Sequence, residues 1–244
     1  MVQRSRLRNF SRLTMVAFFV LLLIPTTAHS KTKAKVDKRQ TVAVLYLDYS
    51  GKDPEMMGLQ KGLASMILSE LSDVNEVRFV ERERIQAIMD ELKLSGSKAV
   101  DKKTAARMGK LLGARYIVTG TYFTMLKQLR VDTRLIEVET GRIVKSVGAN
   151  GSLDDFMNMV SSLATRLEGS LKELMPMQFA SKTVRPRTKR KKRAKVSKKL
   201  ALRFSKALDA KDKGDKATAK KELTAIAAEE PSFTLASVEL AKVR

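Results

Sequence analysis

The sequence predicts an α/β fold: a mixed sheet flanked by helices in the order β-α-β-α-α-β-β-β-α, followed by a small all-α C-terminal hairpin. Three observations carry this expectation. Thr41 to Leu47 is almost wholly apolar and rich in β-branched or aromatic residues, the composition of a strand buried on both faces. Leu112-Gly113-Ala114-Arg115-Tyr116-Ile117-Val118 stops a helix on glycine and passes at once into a second buried strand. Val131 to Val138 alternates apolar and polar, so that strand keeps one face wet.

The elements follow in order. After the first strand, Ser50-Gly51-Lys52-Asp53-Pro54 is a turn with Asp53 as N-cap and Pro54 at the first helical position. A helix is predicted from there to Ser72. Gly58 and Gly62 lie four apart on one face, a spacing that lets a helix approach a sheet closely at about 1 kcal/mol of propensity each. Val77 to Val80 is a short strand. Arg84 to Leu92 is a helix with Ile85, Ile88, Met89 and Leu92 on one stripe. Asp101 caps the next helix and Gly113 ends it. Tyr116 to Phe123 is a strand. Glu139-Thr140-Gly141-Arg142 turns the alternating strand into Ile143 to Val147. Phe156, Met159, Val160, Leu163, Leu167, Leu171 and Leu174 then recur at helical spacing in a helix over 153–174.

Charge divides the chain further. The net charge of +22 is concentrated: 182–199 holds eleven basic residues and no acid, whereas 40–181 carries only +1. Lys182, Arg185, Arg187, Lys189, Arg190, Lys191, Lys192, Arg193, Lys195, Lys198 and Lys199 therefore read as a polyanion-binding stretch. Residues 176–199 read as an extended basic linker, with Pro176 before the charges and Pro186 among them. Such a linker predicts that 40–175 folds as a domain of its own. Beyond it, Phe204, Ala207, Leu208, Gly214-Asp215, Ala219, Leu223, Ile226 and Pro231 read as helix, turn, helix, stop. This 200–244 segment resembles one tetratricopeptide repeat and the start of another. It is too short to bury a core alone and is expected to dock on something or pair with a second copy.

The N-terminus predicts export. Arg4, Arg6, Arg8 and Arg12 precede the apolar run Met15 to Ile24, and Ala28-His29-Ser30 offers small residues where a signal peptidase reads. Ten apolar residues fall short of the ~20 that span a bilayer. Residues 1–30 are thus expected to be a cleaved leader, and 31–39 a disordered lead-in, giving a periplasmic product. The chain has no cysteine, which excludes disulfides and attachment of a lipid at a lipobox.

Several ordered phrases resemble one family. They are Thr41-Val-Ala-Val-Leu-Tyr-Leu-Asp48, Phe79-Val80-Glu81-Arg82-Glu83-Arg84-Ile85 with Glu91-Leu92-Lys93-Leu94, Leu112 to Gly120, and Glu139-Thr140-Gly141. Together they resemble the periplasmic domain of the curli-secretion channel family, CsgG, over roughly residues 40–175. The resemblance implies an assembly and binding protein, since members form oligomeric secretion channels and a related domain occurs in outer-membrane activators of cell-wall synthases. It also implies that Glu81, Arg82, Glu83 and Arg84 lie at a domain edge where proteins meet. Their alternating charges are equally those of a solvated helix start, whose pairs contribute ~0.2–0.5 kcal/mol each.

The resemblance does not extend to the pore. Phe123 and Val131 are separated by seven residues, and Gly148 to Ser152 is the only room before the last helix, whereas a spanning hairpin needs two strands of ~9–11 residues. Catalysis has little to use. The one histidine, His29, lies in the leader, and cysteine and tryptophan are absent. That argues against Ser-His triads, cysteine nucleophiles and common zinc sites, and predicts no enzyme and no cofactor. Gly51-Lys52 lacks the rest of a phosphate-binding loop. Asp48 and Asp53 are the best acidic pair for a metal, but a strand end and a helix cap account for them. Tyr46, Tyr49, Tyr116 and Tyr122 read as core or sheet-edge residues.

Two functions compete. One is a non-enzymatic periplasmic assembly or adaptor protein that binds an envelope protein, with a homo-oligomer open to it. The other is a polyanion-binding envelope protein acting on anionic lipid or polysaccharide through 182–199. The basic run lacks interleaved aromatics, so nucleic acid is not favoured.

Overall fold

The structure is a computed structural model and describes residues 39–94, 101–180 and 194–243. The predicted leader, nearly all of the lead-in, and Lys182 to Arg193 lie outside the described residues. The chain runs β1 (Thr41–Val44), β2 (Asp48–Tyr49), α1 (Pro54–Met57), α2 (Gln60–Leu71), β3 (Arg78–Phe79), α3 (Arg82–Glu91), α4 (Lys102–Leu112), β4 (Tyr116–Met125), β5 (Gln128–Glu137), β6 (Arg142–Ser152), α5 (Phe156–Leu174), α6 (Pro176–Phe179), α7 (Lys198–Asp212), α8 (Lys216–Glu229) and α9 (Thr234–Ala241). The fold is the expected open mixed sheet flanked by helices.

The sheet order is β3-β1-β4-β5-β6, with β2 also pairing β4. β1 runs parallel to β3 and β4, and β4, β5 and β6 form an antiparallel meander. The apolar run at Thr41 serves both faces, as a period of two requires. Val42 and Val44 join the core beneath α2 and α5, while Ala43 and Leu45 join a second core with Ile85, Ala105, Met108 and Ile136. On α5, Phe156, Leu163, Leu167 and Leu171 are fully buried, each contributing about 1.5–3 kcal/mol of transfer free energy. The predicted caps are present. Asp101 accepts the Thr104 amide at 2.7 Å, and Gly113 closes α4 at φ 63°.

The structure departs from the sequence reading in four places. The helix predicted from Asp53 to Ser72 is two helices, α1 and α2, broken at Gly58 and Leu59. Gly62 does face a close neighbour, but it is helix α7 and not the sheet. The last strand is longer than Ile143 to Val147: β6 pairs with β5 from Arg142 to Ser152, with a bulge at the Leu135/Ile136 register. The first site for an inserted hairpin is a two-residue turn, Leu126-Lys127, closed by the Met125–Gln128 pair.

The fourth departure concerns the linker. Ala194 and Val196 are buried in the main core, the Phe156 amide donates to the Val196 carbonyl at 2.8 Å, and the Lys198 amide to Leu153 at 2.7 Å. Ser197 caps α7 by accepting the Leu200 amide. Lys195, Lys198 and Lys199 therefore belong to the entry of a packed helix. Leu200, Phe204, Ala207, Leu208, Leu223 and Ile226 share the core of α2 and α5, and Phe233 meets Phe204 edge-on at 5.1 Å. The C-terminal helices thus find their missing neighbour within the same chain. Lys38–Arg244 clusters as one compact unit, and its described helices after Ala194 share the main core with α2 and α5.

Candidate functional site

The sequence marked two places, the Glu81–Arg84 quartet and the basic run, and the structure treats them differently. Residues Arg82 and Glu83 open α3 at the end of the β3 edge, and α7 brings its C-terminal turn against them. Arg82 is only 4% exposed. Its Nη1 donates to both Asp212 carboxylate oxygens, at 2.7 and 2.9 Å, and lies 3.4 Å from the Tyr46 hydroxyl. Tyr46 in turn donates to Gln86 Oε1 at 2.9 Å. Lys61 of α2 joins Asp212 at 2.8 Å and Asp209 at 2.9 Å. On the other side, Lys211 bridges Glu83 at 2.9 Å and the buried Glu239 of α9 at 2.7 Å. Lys242 reaches both of these carboxylates.

The result is an ionic seam of alternating sign. Burial opposes the charged form of Glu83, but hydrogen bonding from Lys211 and the adjacent Arg82 charge outweigh it, holding the carboxyl at about 2. Asp209 behaves alike: burial raises it, and Lys213 and Lys61 bring it below its ordinary value. For Arg82, burial opposes the charge, and the bonds to Asp212 and Tyr46 raise its pKa overall. Burial pushes the Tyr46 phenol well up. Arg82 Nε and Nη2 and Glu83 Oε2 are buried without hydrogen-bond partners, so the network is only partly satisfied. Buried pairs of this kind add little net stability over apolar packing, whereas removing one partner is strongly destabilising.

Gly62 closes the seam from α2. The start of α2 has Leu59 at its N-cap and no side-chain cap. Ser205 of α7 supplies one, its buried hydroxyl accepting the Gly62 amide at 2.9 Å. A Cβ on Gly62 would lie 2.8 Å from Ser205 Cβ, which is why the position is bare.

The quartet therefore divides. Arg82 and Glu83 make protein contacts, but with this chain's own C-terminal helices. Glu81 and Arg84 are exposed. Sequence reasoning missed Lys61, Asp209, Lys211, Asp212, Glu239 and Lys242, because Lys and Asp alternating near a helix end read as a solvated face. Of the basic run, Lys195 and Lys199 are exposed, and Lys198 is engaged with Asp53 at 3.2 Å and Glu55 at 2.7 Å. The first cause of the lowered Asp53 pKa is that bond from Lys198, and Asp53 also caps α1 by accepting the Glu55 amide. Among the described residues no cluster of three metal-ligating side chains exists.

The described residues also form concave surfaces, two of which lie near these elements. One, of about 500 Å³, lies between the α1–α2 turn and α7, with Met57, Leu202, Lys199 and Lys206 in its lining. The other, of about 610 Å³, lies on the sheet face at the β4–β5 turn, with Phe123, Met125, Leu126 and Arg130 in its lining. Leu126 is 89% exposed there.

Comparison with known proteins covers the sequence phrases up to Gly120 and not Glu139-Thr140-Gly141. Solved structures with partial likeness include the LpoB C-terminal domain from Salmonella enterica, 15% identical, covering 46% of this chain and 82% of that one at a TM-score of 0.37. A PelC dodecamer from Paraburkholderia phytofirmans is 16% identical over 53% of this chain and 86% of that one, at 0.33. Lipoprotein GNA1162 from Neisseria meningitidis is 11% identical over 57% and 99%, at 0.37. Among curated proteins none matches significantly. Residues 33–126, which carry β1 to β4 and the quartet, match the family described as curli production assembly/transport component CsgG, the family that the sequence phrases resemble.

Proposed function

We propose that this protein is a non-enzymatic adaptor of the bacterial cell envelope, working in the periplasm by binding another protein and forming no pore of its own. The observation that supports it most is the CsgG match across 33–126, the segment that builds the parallel half of the sheet. The geometry adds to it. β4 and β5 pair continuously from Tyr116–Glu137 to Met125–Gln128, and a two-residue turn joins them. Among the described residues no helix is long and apolar enough to cross a membrane. Glu81, Arg84 and the exposed residues of α8 and α9, the tetratricopeptide-like part, are among the surfaces this reading offers to a partner. Arg82 and Glu83 position them.

A second reading rests on the eight lysines and arginines of 182–193. This segment lies between α6 and Ala194 in the sequence, and Ala194 is packed in the main core. In this reading it binds anionic lipid or polysaccharide. The test replaces those eight residues with Gln and Ser and measures capture of envelope proteins and of anionic vesicles against salt. Exposed charges are screened beyond ~8 Å at physiological ionic strength. Protein capture that persists with a flatter salt dependence supports the adaptor. Loss of all binding at every salt concentration makes the loop the recognition element. Reproducible unitary conductance in planar bilayers refutes the absence of a pore.

A further inference from the structure

One face of α7 stays outside the core. Lys199, Leu202, Arg203 and Lys206 recur along it at the i, i+3, i+4, i+7 spacing of a single helical stripe. Phe204 and Leu208 take the opposite side into the core. The α1–α2 turn stands beside the stripe, and the two walls form the groove of about 500 Å³. Met57 on the turn is 45% exposed and Leu202 on α7 is half-buried, so the groove has an apolar middle. Lys199 and Lys206 flank Leu202 along the stripe, about 10 Å apart by helical rise.

Most charges around the groove are matched within the chain. Lys61 pairs with Asp209 and Asp212, and Lys198 with Asp53 and Glu55. Arg203 pairs with Glu222 and Glu229, and Lys213 with Asp209. Lys199 and Lys206 are exposed and enter none of the ion pairs among the described residues. The start of α2 has the same sign: Gln60 and Lys61 line the groove, and its first turn holds no acid. The unmatched charge is therefore positive. That sign excludes the stretches of this chain outside the described residues as occupants. Residues 1–38 hold eight basic residues and one acid, 95–100 one basic residue and no acid, and 181–193 eight basic residues and no acid.

Resting on the adaptor reading, we propose that this groove docks an amphipathic helix of another envelope protein, one carrying an acid, an apolar residue and a second acid at i, i+3 or i+4, and i+7. A helix laid along α7 repeats the spacing of its stripe. Each carboxylate then meets a lysine, and the apolar residue packs on Met57 and Leu202. Methionine suits such a surface, because its unbranched side chain adapts to what is placed on it. A flat bilayer surface can meet the two lysines, but it leaves the concave apolar surface between them unfilled.

The test selects short random peptides, displayed on phage, on the immobilised full chain. Enriched sequences are expected to show acid, apolar residue and acid at helical spacing. A fluorescein-labelled peptide of the most enriched sequence then reports affinity by anisotropy. Lys199→Glu with Lys206→Glu is expected to weaken it at least about tenfold, since two favourable exposed pairs become two repulsions. Met57→Gln is expected to weaken it at low and high salt alike, because it removes apolar contact and no charge. All three positions are exposed, so circular dichroism is expected to show the fold retained; if the charge reversal unfolds, Lys199→Gln with Lys206→Gln takes its place. Enriched peptides without an excess of acid overturn the proposal, and so does an affinity that the charge reversal leaves unchanged. Displacement of the peptide by anionic vesicles overturns it in favour of a lipid surface. Self-association that the charge reversal abolishes overturns it in favour of a second copy. Capture of envelope proteins that survives the charge reversal leaves the adaptor reading standing and rejects this groove as its site. Loss of all capture on replacing the basic residues of 182–193 rejects the adaptor reading, and with it this role for the groove.

Discussion

Replacing Gly62 with alanine sets two known effects against each other, and the structure decides the sign. Glycine inside a helix costs about 1 kcal/mol relative to alanine, so propensity alone predicts that Gly62→Ala stabilises by that amount. The added Cβ, however, would stand 2.8 Å from Ser205 Cβ and 3.2 Å from both Ser205 Cα and Oγ. Two aliphatic carbons rest at about 3.5–4.0 Å, so α7 must retreat by roughly 1 Å. Overpacking of that kind costs about 1–3 kcal/mol. The retreat also stretches the Gly62–Ser205 hydrogen bond from 2.9 Å, a buried interaction worth about 0.5–1.5 kcal/mol. The sum is a net loss of about 1–3 kcal/mol. Urea denaturation followed by far-ultraviolet circular dichroism measures it, and hydrogen exchange should show protection lost first over 198–241. A stability gain near 1 kcal/mol would refute the reasoning, because it would mean α7 does not press on α2 at Gly62.

Other outcomes follow from the same seam. Asp212→Ala leaves the 4%-exposed Arg82 without its main counter-charge and should cost about 3–5 kcal/mol, whereas Arg82→Met with Asp212→Leu should restore most of that in the same denaturation assay. Glu83 is held at about 2 in the folded protein, below its ordinary 4.5, so its contribution is fully present above pH 4.5 and is lost as pH falls toward 2. An acid titration followed by hydrogen exchange should therefore loosen α9 and the end of α7 first, and Glu83→Gln should flatten that dependence. Trypsin should cut first within Lys182 to Arg193, and the nicked protein should still elute as one body, because Ala194, Val196 and α7 are packed in the main core. Separation of the two fragments without denaturant would contradict that packing. Lys127→Gly relieves a side chain held at φ 60° in the β4–β5 turn and should raise stability by about 1 kcal/mol in a thermal melt.

Much of the fold was legible because it is written in local pattern. An apolar run of seven, an Asp before a helix, a glycine after one and a seven-residue helical stripe each act within a few positions, and strands, caps and helices formed where those signals lie. The quartet read equally as an edge where proteins meet and as a solvated helix start, and two of its members pack against this chain's own helices. Its partner was not legible. Arg82 and Asp212 are separated by 130 positions, and nothing in either neighbourhood names the other.

The sequence by itself determined the mixed α/β class, the two-faced burial of Thr41 to Leu47, the division of charge and the lack of common catalytic side chains. Only the tertiary structure decided that the helices after the basic run belong to the same body as the sheet. The physical reason is that an amphipathic stripe states that a face must be buried and not against what. Gly62 illustrates it. Its missing side chain announced a close approach, but whether a sheet or a helix would approach depended on where α7 came to lie, and that was fixed by Ser205 and Asp212 on a segment the sequence sets apart behind eleven charges.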